Sequence, residues 1–246
     1  MVKINLKEGK ELMYTDYSKF YDLIYSFKDY KKESQILIEY IKKYKKSKGN
    51  NLLELGCGSG KHLFYLKDKY NCLGTDINKG ILNEAKINVQ NVKFKQVDMV
   101  DFNLNAKFDI IVSLFSAIGY VKTKSNLKKT IKNISNHLKI GGVVIIEPWF
   151  PKPEYISGKP LIHIYEDEKI KVCRMCVSKV KGNISVLDFH FMVAEENKEI
   201  FEFRDIHELG LFDKENYFKY FQEEGIDIKF IEKGLIGRGL FIGIKK

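Results

Sequence analysis

No stretch of the 246-residue chain holds the roughly 18 to 20 consecutive apolar residues that a membrane-spanning helix requires, and the opening MVKINLKEGKELMYTDYSKF has no apolar signal core. These absences lead to the expectation of a cytoplasmic protein with no membrane contact. Cysteine is scarce: Cys57, Cys72, Cys173 and Cys176 have no framework spacing. Only the last two form a C-x-x-C, in the alternating run KIKVCRMCVSKV, where residues three apart on a strand point to opposite faces. No further thiolates or histidines stand near them to complete a zinc set, so no metal is expected. Arginine is scarcer still. Only Arg174, Arg204 and Arg238 occur among 42 basic side chains, although the net charge is +10. Phosphate neutralisation by nucleic-acid binders needs clustered basic residues, whereas these lysines are spread along every segment. The densest set, Lys42, Lys43, Lys45, Lys46 and Lys48, closes a helical pattern, where cations complement the macrodipole. The charge reads as a solvated surface, which argues against a nucleic-acid partner.

What is present is an α/β rhythm. Residues 1–50 read as a helical cap, with Phe20, Leu23, Ile24 and Phe27, then Ile36, Leu37, Tyr40, Ile41 and Tyr44 at helix spacing. From Asn51 short strands alternate with helices: strands at 51–55, 71–75, 92–97, 108–114 and 142–149, helices beginning near Gly60, Lys79 and Lys124. That alternation predicts parallel pairing with right-handed crossovers, a Rossmann-like doubly wound, mostly parallel sheet. All four prolines fall in PWFPKPEYISGKP, after which β-alternating runs with turn signals predict an inserted antiparallel sheet of three or four strands over 151–210. The rhythm returns over 211–246: Asp213 as N-cap, a helix ended by Gly225, then strands at 226–232 and 240–244. Residues 51–150 and 211–246 thus form the core.

The most informative segment is LLELGCGSGKH. A buried strand leads into Gly56, Gly58 and Gly60 and then a helix, a turn that lets a ligand approach backbone closely. Alone it is weak, since dinucleotide dehydrogenases use a related turn. Here Glu54 precedes the first glycine, and the spacing is G-x-G-x-G. Asp76, followed by Ile77, ends the second strand where a carboxylate can accept both ribose hydroxyls. Asp98 and Met99 close the third, where a carboxylate meets an adenine amine and an apolar side chain covers the ring. Each acid also has a plain structural reading, as a helix cap, a turn residue or a satisfied strand end. Three acids at successive strand ends beside one glycine turn favour a shared ligand.

This combination resembles the class I S-adenosylmethionine-dependent methyltransferases. Further stretches are similar to a narrower family, the N,N-dimethyltransferases of nucleotide-linked amino sugars in the desosamine and mycaminose pathways. They are YDLIY (21–25), KDY (28–30), LFSAIGYVKT (114–123), GGVVIIEPWF (141–150), DFHFMVA (188–194) and GRGLFIG (237–243). The resemblance implies a seven-stranded sheet with an inserted β-sheet beside the active-site mouth, a homodimer, S-adenosyl-L-methionine as cofactor and a small-molecule acceptor. It also implies cofactor contacts from Tyr21, Tyr30, the glycines of LGCGSG, Asp76, Asp98 and Met99. On the substrate side it implies Tyr17, Tyr120, Glu147 and Arg238. The chain departs from the family pattern in the short aromatic run EPWF, in Ile236-Gly237 before the arginine where Ser-Gly is common, and in Val177 near a position often held by histidine.

Methyl transfer from a sulfonium is an in-line displacement, and a neutral amine needs no proton removed before attack, so positioning can supply most of the acceleration. No strong Cys–His or Ser–His–Asp arrangement is evident in the sequence. Tyr17 and Tyr120 are expected to shape the pocket and offer hydroxyls. Glu147 would hold the incoming ammonium until it loses its proton, and Arg238 would meet a diphosphate with its planar fork. Trp149 is a candidate platform for the substrate, although such an aromatic, like Phe150 beside it, more often belongs to a core or an interface. Other readings stay open: another small-molecule acceptor, RNA or protein methylation, or a module that binds the cofactor without catalysis. SLFSAIG lacks the Asn/Asp-Pro-Pro-aromatic signature of exocyclic or amide nitrogen methylation, and there is no Pro-Cys nucleophile.

Overall fold

The computed structural model describes residues 6–246; the first five residues of the expected cap lie outside the described residues. The chain opens with β1 (Lys7–Lys10), short 3-10 turns at Leu12–Tyr14 and Ser18–Phe20, α1 (Tyr21–Ile24) and α2 (Tyr30–Tyr44). Then follow β2 (Asn51–Leu55), α3 (Lys61–Leu66), β3 (Asn71–Asp76), α4 (Lys79–Asn88), β4 (Lys93–Gln96) and β5 (Phe108–Ser113). After a 3-10 turn at Ala117–Val121 come α5 (Lys124–His137) and β6 (Leu138–Ile146). Four strands without an α-helix follow, β7 (Pro160–Glu166), β8 (Ile170–Lys181), β9 (Ile184–Glu195) and β10 (Phe201–Gly210), before α6 (Lys214–Glu223), β11 (Ile226–Ile231) and β12 (Leu240–Lys245).

FDIIVS of β5 is buried at every position, as a strand covered on both faces must be. It lies inside a seven-stranded sheet of order β11-β12-β6-β5-β2-β3-β4. The pairs β2–β3, β2–β5, β3–β4 and β5–β6 are parallel, and β12 runs antiparallel to β6 and β11. Alternation along the strands sends Leu53, Leu55 and Ile111 to one face, against Leu127, Ile131 and Ile134 of α5 and Tyr217 and Phe221 of α6. Leu52, Ile110 and Val112 go to the other, against Leu37 and Ile41 of α2 and Leu63 and Leu66 of α3. Asp29 caps α2 by accepting from the Lys32 amide, and Thr123 caps α5 by accepting from Asn126. Asp213 stands at the N-cap of α6 as expected, but its side chain makes no capping bond. With β3 on one flank of β2 and β5 on the other, the order reverses at β2. The loops leaving β2, β3 and β5 diverge there and open a crevice at the carboxyl ends of the strands.

The inserted sheet has five strands, β1-β10-β9-β8-β7, one more than expected. The extra one is β1, which corrects the all-helical reading of residues 1–50: it pairs parallel with β10, Lys7 opposite Phe203 and Lys10 opposite Ile206. Helical spacing was read from the later apolar residues, whereas KEGK carries no pattern of its own and is ordered by its partner strand. The inward face of the sheet, Val172, Phe191, Val193 and Phe203, packs on Leu12, Met13, Phe20, Tyr21 and Ile24. The N-terminal segment is thereby clamped between the two sheets over the crevice. All four cysteines are free thiols. Among the described residues no cluster of His, Cys, Asp or Glu is placed to hold a metal.

Candidate active site

The loop after β2 turns on glycines with positive φ, 71° at Gly56, 54° at Gly58 and 78° at Gly60. A Cβ at Gly58 would project towards the Tyr21 hydroxyl, 3.8 Å away, into the crevice. Gly60 does something different: it is the N-cap residue of α3, and a Cβ there would stand 3.0 Å from Val89. It therefore shapes the turn and its packing and does not line the cavity.

That cavity, of about 200 Å³, is lined by Tyr21, Tyr30, Glu54, Gly56, Gly58, Asp76, Ile77, Asp98, Met99 and Tyr120, ten of the residues anticipated from sequence. Asp76 accepts from the Gly58 and Asn78 amides, both at 3.0 Å, while burial pushes its carboxyl upward. Asp98 accepts from the Val100 amide at 2.8 Å. Glu54 is 1% exposed, and its Oε2 has no partner. Burial and the neighbouring Asp76 push its carboxyl up to about 8. The nearest basic group, His62 Nδ1, is 3.7 Å from Oε1, but burial lowers its pKa and its Nε2 is bonded to Glu33 at 2.9 Å. Of the lysines lining the cavity, Lys61 pairs with Asp22 at 3.0 Å, and Lys122 lies near Glu208 and near Glu11, itself a lining residue. A buried Glu54 and a half-buried Asp76 with no lysine or arginine paired to either, an orphaned carboxyl oxygen and a bare glycine turn together fit a cationic nucleoside.

A second group lies beyond Phe115. Glu147, 0% exposed, follows β6; its Oε2 accepts from the Phe115 amide at 2.7 Å and its Oε1 has no partner. Burial pushes this carboxyl up to about 6, against the opposing pull of that amide, Arg238 and Lys28. Arg238 donates to Ser116 Oγ at 2.9 Å, and its guanidinium lies over Trp149 (4.9 Å), Phe150 (5.4 Å) and Phe115 (5.5 Å). Trp149 donates to Ser185 at 2.9 Å. Arg238 and Trp149 line a separate hollow of about 70 Å³ with Phe150, Tyr217 and Phe230. Lys28 places its ammonium 4.0 Å over the other neighbour, the Phe115 ring, and pairs with Glu33 at 2.7 Å.

Tyr17 is not brought to either group. Its ring stacks on Phe203 at 3.9 Å and on Phe201 at 5.8 Å, in the apolar layer that holds the N-terminal segment to the inserted sheet. The sequence could not separate it from Tyr25, four residues past Tyr21. Tyr25 lies edge-on to Phe115 at 5.2 Å and accepts from Arg174 at 2.8 Å. Three more residues escaped the sequence reading. The Tyr120 hydroxyl contacts His207 Nδ1 at 2.6 Å and the Tyr14 hydroxyl at 3.0 Å, and His207 Nε2 contacts Asp205 at 2.8 Å. No Ser–His–Asp or Cys–His set is evident in the sequence, yet the fold assembles a Tyr–His–Asp one.

Residues 52–142 match the family model described as "Methyltransferase domain". Over 93% of the chain, and 98% of the relative, the sequence is 32% identical to a dTDP-3-amino-3,4,6-trideoxy-alpha-D-glucopyranose N,N-dimethyltransferase of Streptomyces venezuelae. The crystal structure of DesVI from Streptomyces venezuelae superposes with a TM-score of 0.88 at 31% identity, covering 94% of this chain and 99% of that one. The structure of SAM-bound CalS10, an amino pentose methyltransferase from Micromonospora echinaspora, superposes with a TM-score of 0.83 at 26% identity, covering 94% and 97%.

Proposed function

Because the chain belongs to the class I S-adenosylmethionine-dependent methyltransferases, among the dTDP-amino-sugar N,N-dimethyltransferases, we propose that it methylates the amino group of a nucleotide-linked amino sugar. The observation that carries this is Glu147: a buried carboxyl with one unpartnered oxygen, bonded to the amide of Phe115, which lines the acid-lined cavity, and acted on by the charge of Arg238. An amine and a diphosphate on one acceptor would meet those two charges.

S-adenosylmethionine, when bound, supplies the methyl group, the N–C bond forming as the C–S bond breaks. In this reading Tyr21, Tyr30, Glu54, Gly56, Gly58, Asp76, Ile77, Asp98 and Met99 hold the cofactor, while Gly60 sets the turn behind it. Glu147 holds the incoming ammonium until it sheds its proton, and Tyr120 offers its hydroxyl to the amine. Arg238 grips the diphosphate with Trp149 as a flat wall beside it. Alignment of amine and methyl carbon supplies most of the rate, so no nucleophile is needed. Residues 51–150 and 211–246 act as the cofactor-binding core, 151–210 as the inserted acceptor-side unit and 1–50 as the cap.

The outward face of the inserted sheet supports a homodimer. Ile162, Ile164, Met175, Val177 and Met192 form a cross-strand patch in which each side chain is between 43% and 65% exposed, a patch suited to a second copy. Four unpaired thiols fit a reducing compartment such as the cytoplasm. Among the described residues no helix is long and apolar enough to cross a membrane.

The test is incubation of the purified protein and S-adenosylmethionine with a panel of dTDP-linked 3- and 4-amino sugars, glycine, simple amines and tRNA. Mass spectrometry then reads the methyl groups gained. Two methyl groups on an amino sugar are expected; methylation of tRNA or of a free amine alone would refute the acceptor and leave the cofactor reading standing.

A further inference from the structure

Strand β10 alternates, turning Phe203, Asp205, His207 and Leu209 inward. Two polar side chains on a buried register are costly unless fully bonded, and these are. Asp205, 0% exposed, accepts from the Leu12 and Met13 amides, each at 2.8 Å, and from His207 Nε2 at 2.8 Å. A carboxylate facing three donors fixes the hydrogen of His207 on Nε2. Nδ1 is then the acceptor, and the Tyr120 hydroxyl donates to it at 2.6 Å. Tyr14 in turn donates to the Tyr120 oxygen at 3.0 Å. Tyr14 and Tyr120 both line the cavity, whereas His207 and Asp205 lie behind them. Asp205, Tyr120 and Tyr14 are the titratable groups that face His207, from its own strand, the turn after β5 and the N-terminal segment. From β9 the ring of Phe189 reaches it, at 5.2 Å, and Leu187 stands opposite it in register; neither titrates.

We infer that His207, oriented by Asp205, is a positioning residue through which Tyr120 carries away the proton that each methyl transfer leaves on the acceptor nitrogen. The inference rests on the amine-acceptor reading above. A neutral primary amine that has gained a methyl group is an ammonium and cannot accept a second until it loses a proton. The proton passes to the Tyr120 oxygen as the phenolic proton passes to His207 Nδ1. The imidazolium so formed pairs with Asp205 and returns its proton to solvent by the same route once product leaves. Burial keeps both phenols protonated, so they hand protons on without storing negative charge. The arrangement therefore serves the interval between the first and second methylations.

The test compares wild type, His207→Gln and Tyr120→Phe. Glutamine keeps one donor and one acceptor near the imidazole positions but cannot take up a proton. Calorimetric titration with S-adenosylmethionine and a thermal melt establish that each variant is folded and holds its cofactor. Should His207→Gln fail to fold, Tyr120→Phe, which leaves the bonds of Asp205 in place, carries the test alone. Monomethylated product is expected to accumulate in both, the second transfer slowing about 100-fold, the lower end of what a positioned base contributes, and by more than the first. The kcat–pH profile for the second transfer should also change shape in His207→Gln. Equal slowing of both transfers with an unaltered profile shape would mean a structural role and overturn the inference. So would a wild-type enzyme that stops at one methyl group. Absence of any transfer to amino sugars by the wild type would instead remove the reading on which it rests.

Discussion

Glu54 yields the most exacting prediction, because its perturbation is large and its partner is external to the chain. An ordinary glutamate titrates near 4.5; burial and Asp76 push Glu54 up to about 8. The folded protein therefore retains this proton after the unfolded chain has released it. Its stabilising contribution is fully present below about pH 4.5 and is lost as pH rises towards 8. The difference of roughly 3.5 units corresponds to about 5 kcal/mol of lost stability at alkaline pH. For a chain of this length that is a fall in Tm of roughly 10 to 20 °C between pH 5 and pH 8.5 in the absence of cofactor.

Asp76, also raised by burial, and Glu147, pushed up by burial to about 6, add to the same slope. Glu54→Gln should leave only that residual slope and should raise the Tm at pH 8.5. Cofactor binding should show the complementary effect. At pH 7 about a tenth of Glu54 is ionised, so if the carboxylate meets the cofactor's ammonium, affinity rises about tenfold per pH unit between 6 and 8 and then levels. In Glu54→Gln the titration curve should flatten, with affinity at pH 8.5 reduced roughly 10- to 100-fold, the worth of one charge-assisted hydrogen bond. Differential scanning fluorimetry across pH and isothermal titration with S-adenosylmethionine measure both. Superimposable Tm–pH curves for wild type and Glu54→Gln would refute the reasoning, since they would mean that the proton is not held in the folded state.

Two further outcomes follow from the acceptor side and the outward sheet face. Arg238→Ala should raise KM for a dTDP-linked amino sugar by about 10- to 100-fold with a smaller effect on kcat. Arg238→Lys should recover only part of that, because an ammonium lacks the bidentate fork; a fall in kcat at constant KM would place the arginine in the chemistry instead. Met175→Asp, which puts a charge in the middle of the exposed apolar patch, should convert a dimer to a monomer in sedimentation velocity without loss of cofactor binding. A wild-type protein that sediments as a monomer at micromolar concentration would refute the assembly.

Legibility in the sequence followed how local each feature is. Strand β2 was read at its observed limits, Asn51 to Leu55, and ten of the residues singled out from sequence line one cavity, because one strand–turn–helix and two further strand ends carry most of them. Gly60 has the spacing of Gly56 and Gly58 but does not line the cavity with them: a Cβ there would meet Val89. The group around Phe115 was harder, since Tyr25, Phe115, Glu147, Arg174 and Arg238 come from five segments that meet only in three dimensions. Tyr17 and Tyr25 share aromatic spacing in one stretch, and only the register of the inserted sheet decides that Tyr17 stacks on Phe203 while Tyr25 turns to Phe115. Asp205 and His207 did leave a signal. In FEFRDIHELG the period-2 register that buries Phe203 and Leu209 also buries an aspartate and a histidine. An amphipathic strand that places two polar side chains on its apolar face must bond them internally. With β10 packed against the turn after β5 and the N-terminal segment, those two positions find their partners there.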